Sequence, residues 1–159
     1  MPAAVLHIDL IFSRPATTLS VTRGAARLMA DMGYAPLLEV GLPNGRRADV
    51  MALGPRGEIA ICEVKSGVED FRVDRKWPDY RSYCDRLFFA THKDVPLDIF
   101  PEDCGLFLSD GYGGHLLRDA PEHRLAPATR KAVTLNFSRA AAQRLMLAEW
   151  ANGKSFDEM

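Results

Sequence analysis

The segment PLLEVGLPNGRRADVMALGPRGEIAICEVK, running from Pro36 to Lys65, decides how this chain is read. Two turns inside it share one grammar, Pro43-Asn44-Gly45 and Pro55-Arg56-Gly57. Proline presets the second position of a type I turn, and glycine accepts the left-handed residue that closes a three-residue hairpin loop. Three antiparallel strands are expected, at about 35–42, 46–53 and 58–65, with Leu42 facing Arg46 and Gly54 facing Glu58. Counting back along that register, Glu39 faces Asp49, and Asp49 faces Glu63. Alternate side chains point to opposite sides of a sheet. One face therefore carries Leu37, Met51 and Ile61, then Glu39, Asp49 and Glu63, then Gly41, Arg47 and Lys65. The other carries Pro36, Leu38, Val40, Ala48, Val50, Ala52, Ala60, Cys62 and Val64, all apolar, as a face packed on helices should be. A slip of one residue would scatter charges onto both sides.

Directly opposed carboxylates in a half-buried sheet repel, or some of them take up protons. A divalent cation removes the conflict, and oxygen ligands on strands suit Mg²⁺, which binds one or two carboxylates together with substrate phosphate. Lys65 lies two residues beyond Glu63 on the same side, where an ammonium can orient an attacking water or offset charge on a phosphorane-like transition state. The bland alternative is a solvated row paired with Arg46, Arg47 and Lys65, but such a row has little reason to border a fully apolar opposite face.

Outward from this segment, the composition is that of one globular domain. The 159 residues are 47% hydrophobic and 26% charged, which excludes a disordered or collagen-like chain. The formal net charge of −1 excludes a globally basic nucleic-acid coat, though not a local basic groove. No apolar run reaches the ~20 residues of a membrane helix, and Met1 to Phe12 makes a poor export signal, so a cytoplasmic protein with no membrane partner is expected. Cys62, Cys84 and Cys104 fit neither a disulfide framework nor a zinc site, and read as reduced, largely buried thiols.

Residues 1–16 read as an arm and 152–159 as a frayed tail. Helical spacing of Val21, Ala25, Leu28, Met29 and Met32 predicts a helix over Thr18 to Met32, capped by Gly33. A charge-dense helical region spans Glu69 to Cys84, broken at Trp77-Pro78. The short apolar runs Leu87 to Ala90 and Leu106 to Leu108 have the length of strands covered on both faces, and His115 to Arg118 adds another. A last helix runs from about Ala128 to Trp150, with an interruption expected at Asn136 to Ser138. The sum is an α/β fold: a three-strand antiparallel meander plus further strands in one mixed sheet, flanked by helices.

At the acidic residues the chain resembles a known family. Asp49, followed by Glu63-Val64-Lys65 on the next strand, looks like the metal-binding signature of the PD-(D/E)XK nuclease superfamily, whose core is restriction-endonuclease-like. More narrowly, Arg46-Arg47-Ala48-Asp49, the Glu63-Val64-Lys65-Ser66-Gly67 turn and Asp74-Arg75-Lys76-Trp77-Pro78-Asp79-Tyr80 resemble the bacterial MmcB-type DNA repair proteins, from roughly Thr18 to Trp150. The resemblance implies a Mg²⁺- or Mn²⁺-dependent nuclease acting on DNA, with Asp49 and Glu63 as metal ligands, Lys65 as the catalytic lysine and the Val64 carbonyl as a further ligand. Ala48 stands where the motif's name has proline. Many relatives carry an acid on the first helix; here it holds only Asp31, near its end, so Glu39 is the better third carboxylate. Where some relatives have glutamine four residues before tyrosine, this chain has Lys76 and Tyr80 with Pro78 between them.

Around the site, Arg46, Arg47, Lys76 and Tyr80 are candidates for substrate contact. For Arg47 a salt bridge to Glu39 or Glu63 weighs equally with a phosphate contact. Glu63 to Arg86 holds six basic and six acidic side chains, so it is no electrostatic funnel. Trp77 could stack on unpaired bases but reads better as a core anchor, and no histidine has metal-ligand spacing. The reading is metal-dependent phosphodiester hydrolysis on DNA in a repair context. Its rivals are a non-catalytic repair accessory that keeps the fold for binding, and a metal-dependent enzyme acting on a small phosphorylated molecule. A repair-protein partner and a homodimer stay open.

Overall fold

The computed structural model describes residues 16–73 and 77–153. The expected arm, except Ala16, and the tail beyond Gly153 lie outside them. The elements are α1 (Ala16–Asp31), β1 (Ala35–Gly41), β2 (Arg47–Leu53), β3 (Ile59–Val64), α2 (Val68–Val73), a 3-10 helix (Trp77–Tyr83), β4 (Arg86–Thr91), a 3-10 turn (Leu97–Ile99), β5 (Gly105–Ser109), β6 (Gly114–Arg118) and α3 (Pro127–Ala151). One six-stranded sheet runs in the order β1-β2-β3-β4-β5-β6. The first three strands form the antiparallel meander, β3, β4 and β5 are mutually parallel, and β6 returns antiparallel.

Both hairpin turns close as their sequence requires. Gly45 and Gly57 sit at φ 82° and 88°, a region that costs glycine little. The Leu42 amide donates to the Arg46 carbonyl and the Gly54 amide to that of Glu58, each at 2.8 Å. The strand pairs confirm the register: Leu38 faces Val50, Val40 faces Ala48, and Val50 faces Cys62. β4, all but its first residue buried, is covered on both faces.

Two apolar layers sandwich the sheet. On one side α1 packs Val21, Ala25 and Met29 over Val50, Cys62, Val64, Phe88 and Phe107. On the other, Met51, Ile61, Leu87, Phe89 and Leu106 meet Tyr80 and Cys84 below the 3-10 helix, and Val133 and Phe137 of α3. The strict alternation expected along β1 and β2 breaks down at one place. Val40 and Ala48, expected beside Val50, join the α3 layer instead. Between Leu38 and Val40 the chain passes through Glu39, whose φ of 52° turns the strand out of its regular pleat.

Two helical expectations are corrected. Among the described residues of the 69–84 region, α2 runs to Val73 and the 3-10 helix spans Trp77–Tyr83, so Trp77-Pro78 opens a helical turn. In an opening turn the missing proline N–H costs nothing. The interruption expected at Asn136 to Ser138 is not there: α3 is continuous. Ser138 bonds the Thr134 carbonyl one turn back, and Asn136 reaches across to the Gly41 carbonyl. The three thiols are buried and unpaired, as expected. Among the described residues no helix is long and apolar enough to cross a membrane.

Candidate active site

The carboxyl ends of parallel strands are where open α/β sheets place their ligands. Here Glu63 and Lys65 lie at the end of β3, beside the end of β4. Asp49 lies on β2, where the ladder with β3 has stopped after the Val50–Cys62 pair. Beyond that pair the two strands cross-bond through side chains. The Asp49 amide donates to Glu63 Oε1 at 3.1 Å, and the Val64 amide donates to Asp49 Oδ2 at 2.8 Å. Each carboxylate is thus held by the backbone of the other's strand.

Glu63 is only 3% exposed, and its carboxyl is pushed well above the ordinary range, first by burial and then by the negative charge of Asp49. Lys65 pulls in the opposite direction without prevailing, and is itself buried. Its backbone is fixed on both sides: its amide donates to the Ala90 carbonyl at 2.9 Å, and its carbonyl accepts the Thr91 hydroxyl at 2.7 Å. The next residue is staked too. His92 Nε2 lies 2.8 Å from the Ser66 carbonyl, and the Ser66 and Thr18 hydroxyls are 2.9 Å apart. Thr18, Thr91 and His92 escaped the sequence reading. Thr91 and His92 directly follow the apolar run 87–90, so the end of a buried strand was the available signal.

The expected third carboxylate stands differently. Glu39 falls opposite Asp49 in the register and is buried, but its carboxylate is taken by Arg47, with Nε and Oε2 2.6 Å apart. Among the described residues no group of three His, Cys, Asp or Glu side chains is gathered to hold a metal ion. The expected row of three is therefore a pair, Asp49 and Glu63, flanked by an ion pair. For Arg47 the structure supplies the salt bridge. Arg46 pairs with Asp79 at 3.4 Å. Tyr80 is 8% exposed and donates its hydroxyl to the Arg47 carbonyl at 3.3 Å, so it braces β2 from the core side. Lys76 lies outside the described residues. Trp77 packs against the core, edge-on to Phe89 and under the Arg81 guanidinium.

Two hard-oxygen carboxylates forced together, one of them nearly out of water, fit a divalent cation by charge and donor type. The sheet order and flanking helices are those of a restriction-endonuclease-like α/β protein, and the placement of Asp49, Glu63 and Lys65 is consistent with the PD-(D/E)XK superfamily. Residues 10–152 match the family described as DNA repair protein MmcB-like, and the chain belongs to that family. A solved structure, of a protein of unknown function from Silicibacter pomeroyi, is similar over 89% of this chain and 97% of that one, with 37% identity and a TM-score of 0.83. No curated protein matches.

Proposed function

We propose that this chain hydrolyses phosphodiester bonds in DNA, in the repair context of its family, with Mg²⁺ or Mn²⁺ held by Asp49 and Glu63. The observation that carries the reading is the buried, mutually repelling carboxyl pair with a lysine two residues along the same strand. A pair that raises the proton affinity of Glu63 at the expense of the fold is a poor structural device and a good cation seat. The Val64 carbonyl, between Glu63 and Lys65, is the further oxygen the resemblance assigns to the ion. A bound divalent cation supplies Lewis-acid polarisation of the phosphate and a water of lowered pKa.

The chain's own residues supply the rest. Lys65, with its backbone locked between Ala90 and Thr91, offers its ammonium to the negative charge that develops on the phosphoryl oxygens as the water oxygen bonds to phosphorus and the ester oxygen leaves. Thr18, Ser66 and His92 hold the turn that follows, which fixes the backbone from which the lysine projects. The test is a panel of duplex, gapped, flapped and forked DNAs incubated with Mn²⁺. Cleavage by the wild type and none by Lys65→Ala or Asp49→Ala supports the reading; equal cleavage by all three refutes it.

One observation favours a non-catalytic DNA-repair accessory as the second reading. Arg46 and Arg47, the cations closest in sequence to Asp49, are engaged by Asp79 and Glu39. On that reading the same panel yields salt-sensitive binding without cleavage.

A further inference from the structure

Glu39 is the one non-glycine residue at positive φ among those described, and it sits opposite Asp49 in a one-pair gap of the β1–β2 ladder, one step past the last pair of the β2–β3 ladder. Left-handed backbone at an ordinary residue persists only where the surroundings over-determine it. Here they do so from two sides. The Glu39 carboxylate meets Arg47, two residues before Asp49 on β2. From α3, Arg144 donates to the Leu38 carbonyl and, at 2.6 Å, to the Glu39 carbonyl. The consequence reaches Asp49 directly. A residue paired regularly with both neighbours would spend its amide on the sheet ladder; that of Asp49 is instead given to Glu63, and its carboxylate to Val64.

We infer that Glu39 is a positioning residue: through Arg47, and backed by Arg144, it holds the twisted strand that aims the Asp49 carboxylate at Glu63. This rests on reading Asp49 and Glu63 as the reactive pair, and it gives Glu39 a role other than metal ligand. Supporting partners of metal ligands, when replaced, typically cost about 10–100-fold in metal affinity.

The experiment uses the full-length, ¹⁵N-labelled protein, first without metal. Glu39→Gln, which removes the charge and keeps the shape, should shift the Asp49 and Val64 amide signals and speed their hydrogen exchange. The Ile59 and Leu125 amides, which bond Asp85 at the other end of β3, should hold. Arg144→Met should move the same two amides, and serves if Glu39→Gln folds poorly. Mn²⁺ affinity, read by water-proton relaxation, should then fall about 10–100-fold in Glu39→Gln. Four results would overturn the inference: Asp49 and Val64 unmoved; all four amides loosened alike, which marks a general structural role; a shift of the two amides with Mn²⁺ affinity intact; or lost Mn²⁺ affinity with both amides unmoved, which marks direct ligation. Should the wild type bind no Mn²⁺, the cation reading fails, while the amide test still decides whether Glu39 places Asp49.

Discussion

Asp85 and Arg130 form a two-pronged pair, with Nη1 2.7 Å from Oδ2 and Nη2 2.6 Å from Oδ1, across the end of the sheet opposite the candidate site. The same carboxylate accepts the Ile59 amide at 2.8 Å and the Leu125 amide at 2.9 Å, and Arg130 also reaches the Gly57 carbonyl. One buried acid thus ties the start of β3, the segment before α3 and α3 itself. Removing one partner leaves the other charge without its counter-ion, a loss of about 3–5 kcal/mol for fully buried pairs. Arg130 is partly exposed, so Arg130→Ala is expected at the lower end, about 3 kcal/mol, in urea unfolding. A loss under about 1 kcal/mol would show the pair to be a surface bridge.

The same pair predicts an acid limb. Burial alone would raise the Asp85 carboxyl, but the Arg130 hydrogen bonds and the Leu125 and Ile59 amides outweigh it and hold it below the ordinary value. A carboxyl depressed in the folded state contributes its stability above the unfolded pKa, about 3.9 for Asp, and loses it as pH falls through the folded value. The gap in stability between wild type and Asp85→Asn should therefore be full at pH 6 and shrink below about pH 4. A gap independent of pH would contradict this.

Gly24 predicts a reversal of the usual helix rule. In an exposed helix interior, Gly→Ala gains about 1 kcal/mol. A Cβ built at Gly24 would meet Ser109 Oγ at 1.9 Å and the Gly113 carbonyl at 2.5 Å. The Ser109 hydroxyl cannot retreat freely, since it donates to the Val21 carbonyl. Gly24→Ala should cost about 1–3 kcal/mol, read as a lowered melting midpoint. An unchanged or raised midpoint would mean that α1 can lift off β5.

What the sequence disclosed and what it hid divide by distance along the chain. The hairpins were legible because Pro43-Asn44-Gly45 and Pro55-Arg56-Gly57 specify their own turns, and the turns set the register that brings Asp49 toward Glu63. The buried β4 and β5 were legible as short apolar runs. The switch of Val40 and Ala48 to the α3 layer was not, because it follows from the conformation of Glu39. That conformation is held in part by Arg144, 105 residues away. The Asp85–Arg130 tie spans 45 residues and left no local pattern. Pro78 marks a boundary but suits either the end of one helix or the opening of another, so the sequence located the break without its meaning.

Cation binding should be visible without any substrate. Ligands that bind only the folded state stabilise it by about 2.7 kcal/mol at a hundredfold excess over Kd, which in a chain of this size is a rise of about 5–10 °C. Mn²⁺ should raise the melting midpoint of the wild type and leave Asp49→Ala unmoved. Burial and then the charge of Asp49 raise the proton affinity of Glu63, and a proton there competes with the cation. The rise should therefore grow as pH increases through the elevated Glu63 range. No rise at any pH would remove the cation from the proposed chemistry.

Tyr80 separates a brace from a substrate contact. Its ring is buried in the α3 layer, and its hydroxyl donates to the Arg47 carbonyl at 3.3 Å, a long bond. Tyr80→Phe keeps the ring packing and removes the hydroxyl that makes that bond, so stability should fall by about 0.5–1.5 kcal/mol. Oligonucleotide affinity should stay at the wild-type value across a salt titration, because neither a phosphate contact nor a stacking ring has been lost. Weakened DNA binding at unchanged stability would instead place the phenol on the substrate, as the position of Tyr80 after Lys76 in the sequence first suggested. Measuring both quantities on one variant decides the question, since the brace moves stability alone and the contact moves affinity alone.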